Sequence, residues 1–157
     1  MRILVMSDCH GAVNRVQQAI EAQPDAKHIF YLGDGAQYVS RLKEFYPDRV
    51  FHIVKGNCDW DCEFPLQDSL ILNGAKIYFT HGHKNFVKQD TTILKAIAKN
   101  LDAKIVLYGH THCANIEYSD EVYVVNPGAL SGSRNGPESY AVIDILPNGI
   151  IPIIIKI

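Results

Sequence analysis

The chain has 157 residues, 47% of them hydrophobic and 20% charged, a balance that fits one globular domain (1–157) with a sizeable core. Its net charge of −2 excludes the strongly basic face that stable binding to duplex nucleic acid requires. No apolar stretch reaches the length of a bilayer span and the apolar start, Met1 to Met6, is too short for a signal peptide, so no membrane association and a cytoplasmic location are expected.

Arg2 to Met6 reads as a short buried strand that ends in Ser7-Asp8-Cys9-His10-Gly11. Val13, Val16, Ala19 and Ile20 recur at helical spacing, which predicts a helix over about 12–22, stopped by Pro24 and Asp25. A second strand, His28 to Leu32, ends in Gly33-Asp34-Gly35, and a second helix passes through Tyr38, Leu42 and Phe45 before Pro47. The third strand, Val50 to Val54, ends in Lys55-Gly56-Asn57-Cys58-Asp59. Strand, polar glycine-containing loop and helix in repetition are the mark of parallel βα units, which bind ligands beyond the carboxyl ends of their strands.

The pattern then changes. Ser69 to Leu72 and Lys76 to Thr80 flank Asn73-Gly74, a strong two-residue hairpin signal, and the second strand delivers His81-Gly82-His83. A helix over about 90–100, with Ile93, Leu94, Ile97 and Leu101 on one face, leads to the strand Ile105 to Tyr108 and then to Gly109-His110-Thr111-His112. Strands near Asn115–Tyr118 and Val122–Val125 follow, then the turn Asn126-Pro127-Gly128 and a small-residue loop containing Arg134. Tyr140 to Leu146 and Ile150 to Ile157 close the chain as a hairpin across Pro147-Asn148-Gly149. The arrangement implies two mixed sheets packed face to face, with helices outside. Cys9, Cys58, Cys62 and Cys113 are too sparse for a disulfide scaffold; Cys58 and Cys62 lie four residues apart, but no second pair completes a zinc knuckle, so free thiols are expected.

Five polar clusters stand at predicted strand ends: Asp8-x-His10, Gly33-Asp34, Gly56-Asn57-Cys58-Asp59, His81-Gly82-His83 and Gly109-His110-Thr111-His112. Each alone has an ordinary structural reading as a helix cap or turn. Together they place imidazoles, carboxylates and an amide at one end of the sheets, a donor set suited to metal.

The ordered set resembles the calcineurin-like metallophosphoesterase superfamily, whose pattern is D-x-H, G-D, G-N-H-[ED], G-H and G-H-x-H. Chain length and the G-N-C-D variant look closest to its small YfcE-like bacterial and archaeal phosphodiesterases. The resemblance implies a four-layer αββα sandwich holding two divalent metal ions, with Asp8, His10 and His112 on the first, Asn57, His81 and His110 on the second, and Asp34 bridging them. It further implies hydrolysis of small phosphodiesters, nucleotide-like ones among them, by a hydroxide that the two metals activate. Mixed nitrogen and oxygen donors without a ligating thiolate favour manganese, iron, zinc, nickel or similar ions over magnesium alone, without choosing among them; manganese is the ion expected to serve in an assay.

Cys58 departs from the pattern, standing where the family's histidine stabilises the transition state or protonates the leaving group. A thiol of pKa about 8.5 is a weak donor, so slower chemistry or a better leaving group is expected. His83 is the candidate to fill that role, and Asp59 the candidate to orient a ligand or its loop by accepting a hydrogen bond. Arg134 reads as a solvated arginine or a phosphate clamp, Trp60 and Phe64 as packing or as an apolar wall for substrate, and His28 and His52 as core or surface histidines. Exposed aromatics near Trp60 and Tyr118 leave room for a homodimer. Two other functions share the framework: a scaffold with an impaired site, as in a retromer subunit that resembles this family, and a phosphomonoesterase. All seven expected metal ligands have metal-competent side chains, which favours catalysis.

Overall fold

A computed structural model describes residues 1–157, the whole chain. Strand β1 (Arg2–Met6) leads to helix α1 (Val13–Glu21), β2 (His28–Tyr31), α2 (Ala36–Leu42) and β3 (Val50–Ile53). Then come β4 (Gln67–Leu72), β5 (Ala75–Thr80), α3 (Thr92–Leu101), β6 (Ile105–Leu107), β7 (Asn115–Ser119), β8 (Val122–Asn126), β9 (Ser139–Leu146) and β10 (Gly149–Lys156). Two five-stranded sheets result, in the orders β10-β9-β1-β2-β3 and β4-β5-β6-β8-β7.

The period-two alternation of side chains sorts the core into layers. Ile3, Val5, Phe30, Phe79, Ile105 and Leu107 meet between the sheets. Leu4, Met6, Ile29 and Tyr31 point the other way, against Val16, Ile20, Val39 and Leu42 of α1 and α2. Tyr78, Val106 and Val124 face Leu94 and Ala98 of α3 on the far side of the second sheet. The fold is therefore the four-layer αββα sandwich. With both faces covered, Ile3–Met6 of β1 and the whole of β6 read as unbroken apolar runs.

Local chemistry sets the turns. Asn73 and Gly74 both take positive φ, 48° and 82°, which builds the primed turn that suits the twist of β4 and β5. Helix α3 starts at Thr92, whose N–H is held by Asp90 Oδ1 at 2.8 Å, so Asp90 lies outside the helix. Its apolar face also differs from the expected one: Leu94 and Ala98 are buried, Ile97 and Leu101 pack at the margin, and Ile93 points to solvent.

Strands β1, β2 and β3 run parallel, as do β5, β6 and β8. Their carboxyl ends deliver all five polar clusters to one end of the molecule. His28 and His52 lie apart from them. His28 Nδ1 and His52 Nε2 are 3.0 Å apart, the rings are stacked, and His52 also lies on Phe30. Burial, helped by the neighbouring His28, lowers His52 to about 4. The unfolded chain takes up this proton near the ordinary 6.5 and the folded chain only near 4, so between these values the unfolded form binds more protons. Stability should therefore fall as pH drops through that window and be unaffected by this pair above it. Thermal melts of His52→Phe should show a flatter decline between pH 6.5 and 4 than the parent chain; an identical slope contradicts the assignment.

Candidate metal centre

The loops that carry the clusters are held in conformations most side chains avoid. Asp8, His10, Asp34, His110 and His112 have φ of 55°, 44°, 56°, 67° and 58°, all in the left-handed region. Such residues cost on the order of 1–3 kcal/mol each and persist where surrounding contacts fix them. Here a mesh of main-chain bonds does so: Asp8 N–H donates to Gly33 O, His10 N–H to Asp34 O, Gly109 N–H to His81 O and Arg134 N–H to His112 O.

The side chains converge so that acceptor faces acceptor. His81 Nδ1 lies 2.7 Å from Leu32 O and His112 Nδ1 lies 2.8 Å from Gly132 O. A carbonyl only accepts, so both rings carry their proton on Nδ1 and turn the Nε2 lone pair inward. His81 Nε2 then lies 3.1 Å from Asn57 Oδ1 and 3.5 Å from Asp34 Oδ2. His112 Nε2 lies 3.2 Å from His10 Nε2 and 3.3 Å from Asp8 Oδ1. Asp8 is fully buried and its Oδ1 has no hydrogen-bond partner. A buried carboxylate oxygen without a donor, among inward lone pairs, fits cations.

Two of the resulting groups, Asp8-His10-His112 and Asp8-Asp34-His81, each gather their ligating atoms within 4.8 Å, and a third joins His10, Asp34 and Cys58. The His110 ring stands edge-on to His81 at 5.0 Å, and the backbone N–H of His110 donates to Asp8 Oδ2 at 3.1 Å. The seven expected ligands thus lie together. Asp34 is shared between two of the groups.

Electrostatics follows the same plan. The Asp8 carboxylate, 3.3 Å from Nε2, raises His112, so this imidazole and carboxylate already attract a positive charge between them. Burial resists ionisation of Asp8, yet the neighbouring His112, His81 and Ser7 leave it below the ordinary carboxylate value. Burial, with His81 and Lys88 nearby, lowers His110 to about 4 and keeps it neutral, the form that ligates.

Asp59 serves the loops. Its Oδ2 accepts the N–H groups of Asp34 at 2.7 Å and Gly56 at 2.8 Å, and its Oδ1 those of Gly35 at 2.8 Å and Ala36 at 3.0 Å. One buried carboxylate thereby ties the loop after β2 to the loop after β3. Its acceptor sites are used by backbone, which assigns it to positioning and removes it from contact with the reacting atoms. Glycine is needed where these loops meet: a Cβ on Gly56 would lie 2.1 Å from Asp34 Oδ1, and one on Gly109 would lie 2.0 Å from Ser7 Oγ.

Two further supports escaped the sequence reading. The buried Tyr31 hydroxyl donates to Asp34 O at 3.0 Å and accepts the Cys9 N–H at 3.1 Å, joining two ligand loops. Asn126 Nδ2 donates to Gly109 O and Thr111 Oγ1, both at 3.0 Å, while its Oδ1 accepts the Gly128 N–H. A polar residue closing the apolar run Val122–Val125 was the available signal for Asn126; nothing local distinguishes Tyr31 from a core aromatic.

Of the remaining candidates, His83 sits beside the cluster, 5.3 Å from the His81 ring and 6.1 Å from that of His110, with Nδ1 buried and unpartnered. Cys58 is exposed, its N–H bonds Asp34 Oδ1 at 2.8 Å, and burial together with Asp34 raises its thiol to about 11. Arg134 is exposed near His112. Trp60 is 87% exposed, whereas Phe64 packs on the core under α1 and α2 and beneath Lys43, so Phe64 is packing and not a wall for substrate. All four cysteines are free thiols.

Residues 1–147 match the calcineurin-like phosphoesterase superfamily domain. The chain belongs to that superfamily. It is 30% identical to the phosphodiesterase YfcE of Escherichia coli K12, over 92% of this chain and 88% of YfcE. A conserved uncharacterized protein of Streptococcus pneumoniae TIGR4 superposes with a TM-score of 0.80 at 25% identity, covering 98% of this chain and 97% of that one. Vps29 of Chaetomium thermophilum shares the fold, with a TM-score of 0.76 at 19% identity over 99% of this chain and 93% of its own.

Asp59→Asn replaces two acceptor oxygens by one and turns an amide donor toward backbone N–H groups. It should lower stability by about 3 kcal/mol and reduce bound metal, read by denaturant unfolding and elemental analysis. Full metal content at parental stability would contradict the clamp.

Proposed function

We propose that this chain is a metal-dependent phosphoric diester hydrolase acting on small phosphodiesters. The observation that carries the reading is the inward-facing acceptor set of Asp8, His10, Asp34, Asn57, His81 and His112, with Asp8 Oδ1 unpartnered. Membership in a phosphoesterase superfamily and the likeness to YfcE support the reaction class. In this reading Asp8, His10 and His112 hold one divalent ion, Asn57, His81 and His110 hold a second, and Asp34 lies between them. Divalent ions bound there supply Lewis acidity toward a phosphoryl oxygen and a hydroxide nucleophile at neutral pH.

The residues set the charge. Five of the ligands are neutral and only Asp8 and Asp34 are anionic, so two divalent ions and one hydroxide leave roughly +1, matched to a phosphodiester monoanion. Manganese suits an assay, and the donor set also admits iron, zinc, nickel and magnesium. Asp59 holds the Asp34 and Gly56 loops in register, and Tyr31 and Asn126 hold their neighbours, so the ligands need not reorganise when substrate arrives.

His83 is the proton donor to the leaving oxygen. Burial and the neighbouring His81 lower its pKa, while the negative charge of a bound diester favours its protonated form. Cys58 cannot do this with a thiol held near 11. The alternatives share these residues: Vps29 has the same fold, which supports a scaffold reading, and two-metal centres also cleave monoesters. The complete donor set favours catalysis over the scaffold, and the +1 balance suits a diester monoanion better than a monoester dianion.

An assay of metal-reconstituted protein on an aryl phosphodiester and the matching monoester tests this. Faster turnover of the diester is expected, and its loss in Asn57→Ala and His81→Ala with one fewer ion per chain. No turnover with any divalent metal at full occupancy would overturn the enzyme reading. His83→Ala should lower kcat by about 10²–10⁴-fold at unchanged metal content. An unchanged rate removes it from the mechanism.

A further inference from the structure

Cys58 stands where its residue type is least expected. Free cysteine is among the most buried of side chains, yet Cys58 is exposed. Packing does not account for it: Cys9 and Cys62 belong to the apolar cluster under α1 and α2, whereas Cys58 belongs to none of the three.

The backbone explains its place and leaves its sulfur unexplained. The Cys58 N–H donates to Asp34 Oδ1 at 2.8 Å, which ties the residue to the carboxylate shared between groups. Any residue other than proline supplies that bond. The side chain, however, is placed by its own contacts. Asn57 Nδ2 donates to Cys58 Sγ at 3.3 Å, while Asn57 Oδ1 faces His81 Nε2 at 3.1 Å. Sγ, a ring nitrogen of His10 and a carboxylate oxygen of Asp34 all lie within 4.8 Å of one another. His10 also groups with Asp8 and His112, so the thiol borders the position proposed for the first ion. Bonds of about 2.0–2.3 Å keep the ligands of one zinc ion within roughly 4.5 Å of each other, so a small side-chain adjustment lets this trio share one. Cys62 does not compete, because its thiol donates to Asp59 O at 3.7 Å.

We propose that Cys58 is a further ligand at the first ion position, engaged by thiophilic divalent metals such as zinc or cadmium and left aside by manganese. This rests on the metal-centre reading of Asp8, His10, Asp34 and His112. Thiolate suits soft and borderline ions, whereas manganese and magnesium favour oxygen. On binding, the S–H bond breaks, its proton passes to water and Sγ bonds to the metal, with no change of oxidation state. A coordination position that substrate needs is thereby filled, so the identity of the ion decides whether the centre is open or closed.

X-ray absorption at the zinc edge of the zinc-loaded protein reads the ligand atoms directly. The parent chain should show sulfur at about 2.3 Å beside nitrogen and oxygen at about 2.0–2.2 Å. Cys58→Ser, which keeps the size and the backbone bond, should lose the sulfur and bind zinc about tenfold or more weakly at unchanged manganese affinity. Cys62→Ser should keep the sulfur. Zinc-loaded Cys58→Ser should also turn over an aryl phosphodiester faster than the zinc-loaded parent, and equal rates would overturn the closing of the site. A shell of nitrogen and oxygen alone in the parent, or sulfur that survives in Cys58→Ser, would overturn the ligand. The two readings fail separately: stoichiometric zinc without sulfur removes Cys58 alone, whereas a parent chain that binds no ion removes the metal centre itself.

Discussion

The inward lone pairs of His81 and His112, each fixed by a carbonyl bond to the far side of its ring, impose the constraint on which the rest of the structure depends. Acceptors 3.1–3.5 Å from one another repel, and in a buried setting that repulsion is little screened. Folding therefore has to force them together, and much of the molecule's irregular chemistry lies where that force is applied. Left-handed backbone at five proposed ligands, a four-bond carboxylate clamp at Asp59 and bare glycines at 56 and 109 all serve the same convergence. A cation turns the repulsion into attraction, so the strain held in these loops becomes pre-organisation for metal.

The sandwich supplies what loops alone cannot. Three parallel strands in each sheet end at the same level, and the inter-sheet core of Val5, Phe30, Phe79 and Leu107 locks their relative height. The proposed ligands of the first sheet, Asp8, Asp34 and Asn57, thereby meet His81 and His110 from the second. The centre straddles the seam between sheets, so any slip of one against the other separates donors. The α3 layer lies behind the second sheet and reaches the site only through the packing of Tyr78, Val106 and Tyr108.

Much of this was legible in the sequence because strand-end chemistry repeats. Apolar runs closing on Asp8, Asp34, Asn57, His81 and His110 mark the strands and the loops whose side chains converge, and Asn73-Gly74 marks the hairpin that begins the second sheet. What was not legible depends on residues distant in the chain. Tyr31 looks like any core aromatic until its hydroxyl is seen between Cys9 and Asp34. Asp59 was legible as an acceptor that orients its own loop, but its hold on Asp34, Gly35 and Ala36, more than twenty residues away, was not. Ile93 fits the helical stripe of α3 but turns to solvent, because the sheet beneath accepts only the face centred on Leu94 and Ala98.

The central claim, that opposed acceptors create a centre for two cations, is tested most directly by anomalous scattering from crystals grown with manganese. The account predicts two peaks per chain. One should lie within bonding distance of Asp8, His10 and His112, the other within reach of Asn57, His81 and His110, with an oxygen of Asp34 on each. A single peak, or ions bound elsewhere while these side chains keep their separations, would contradict it.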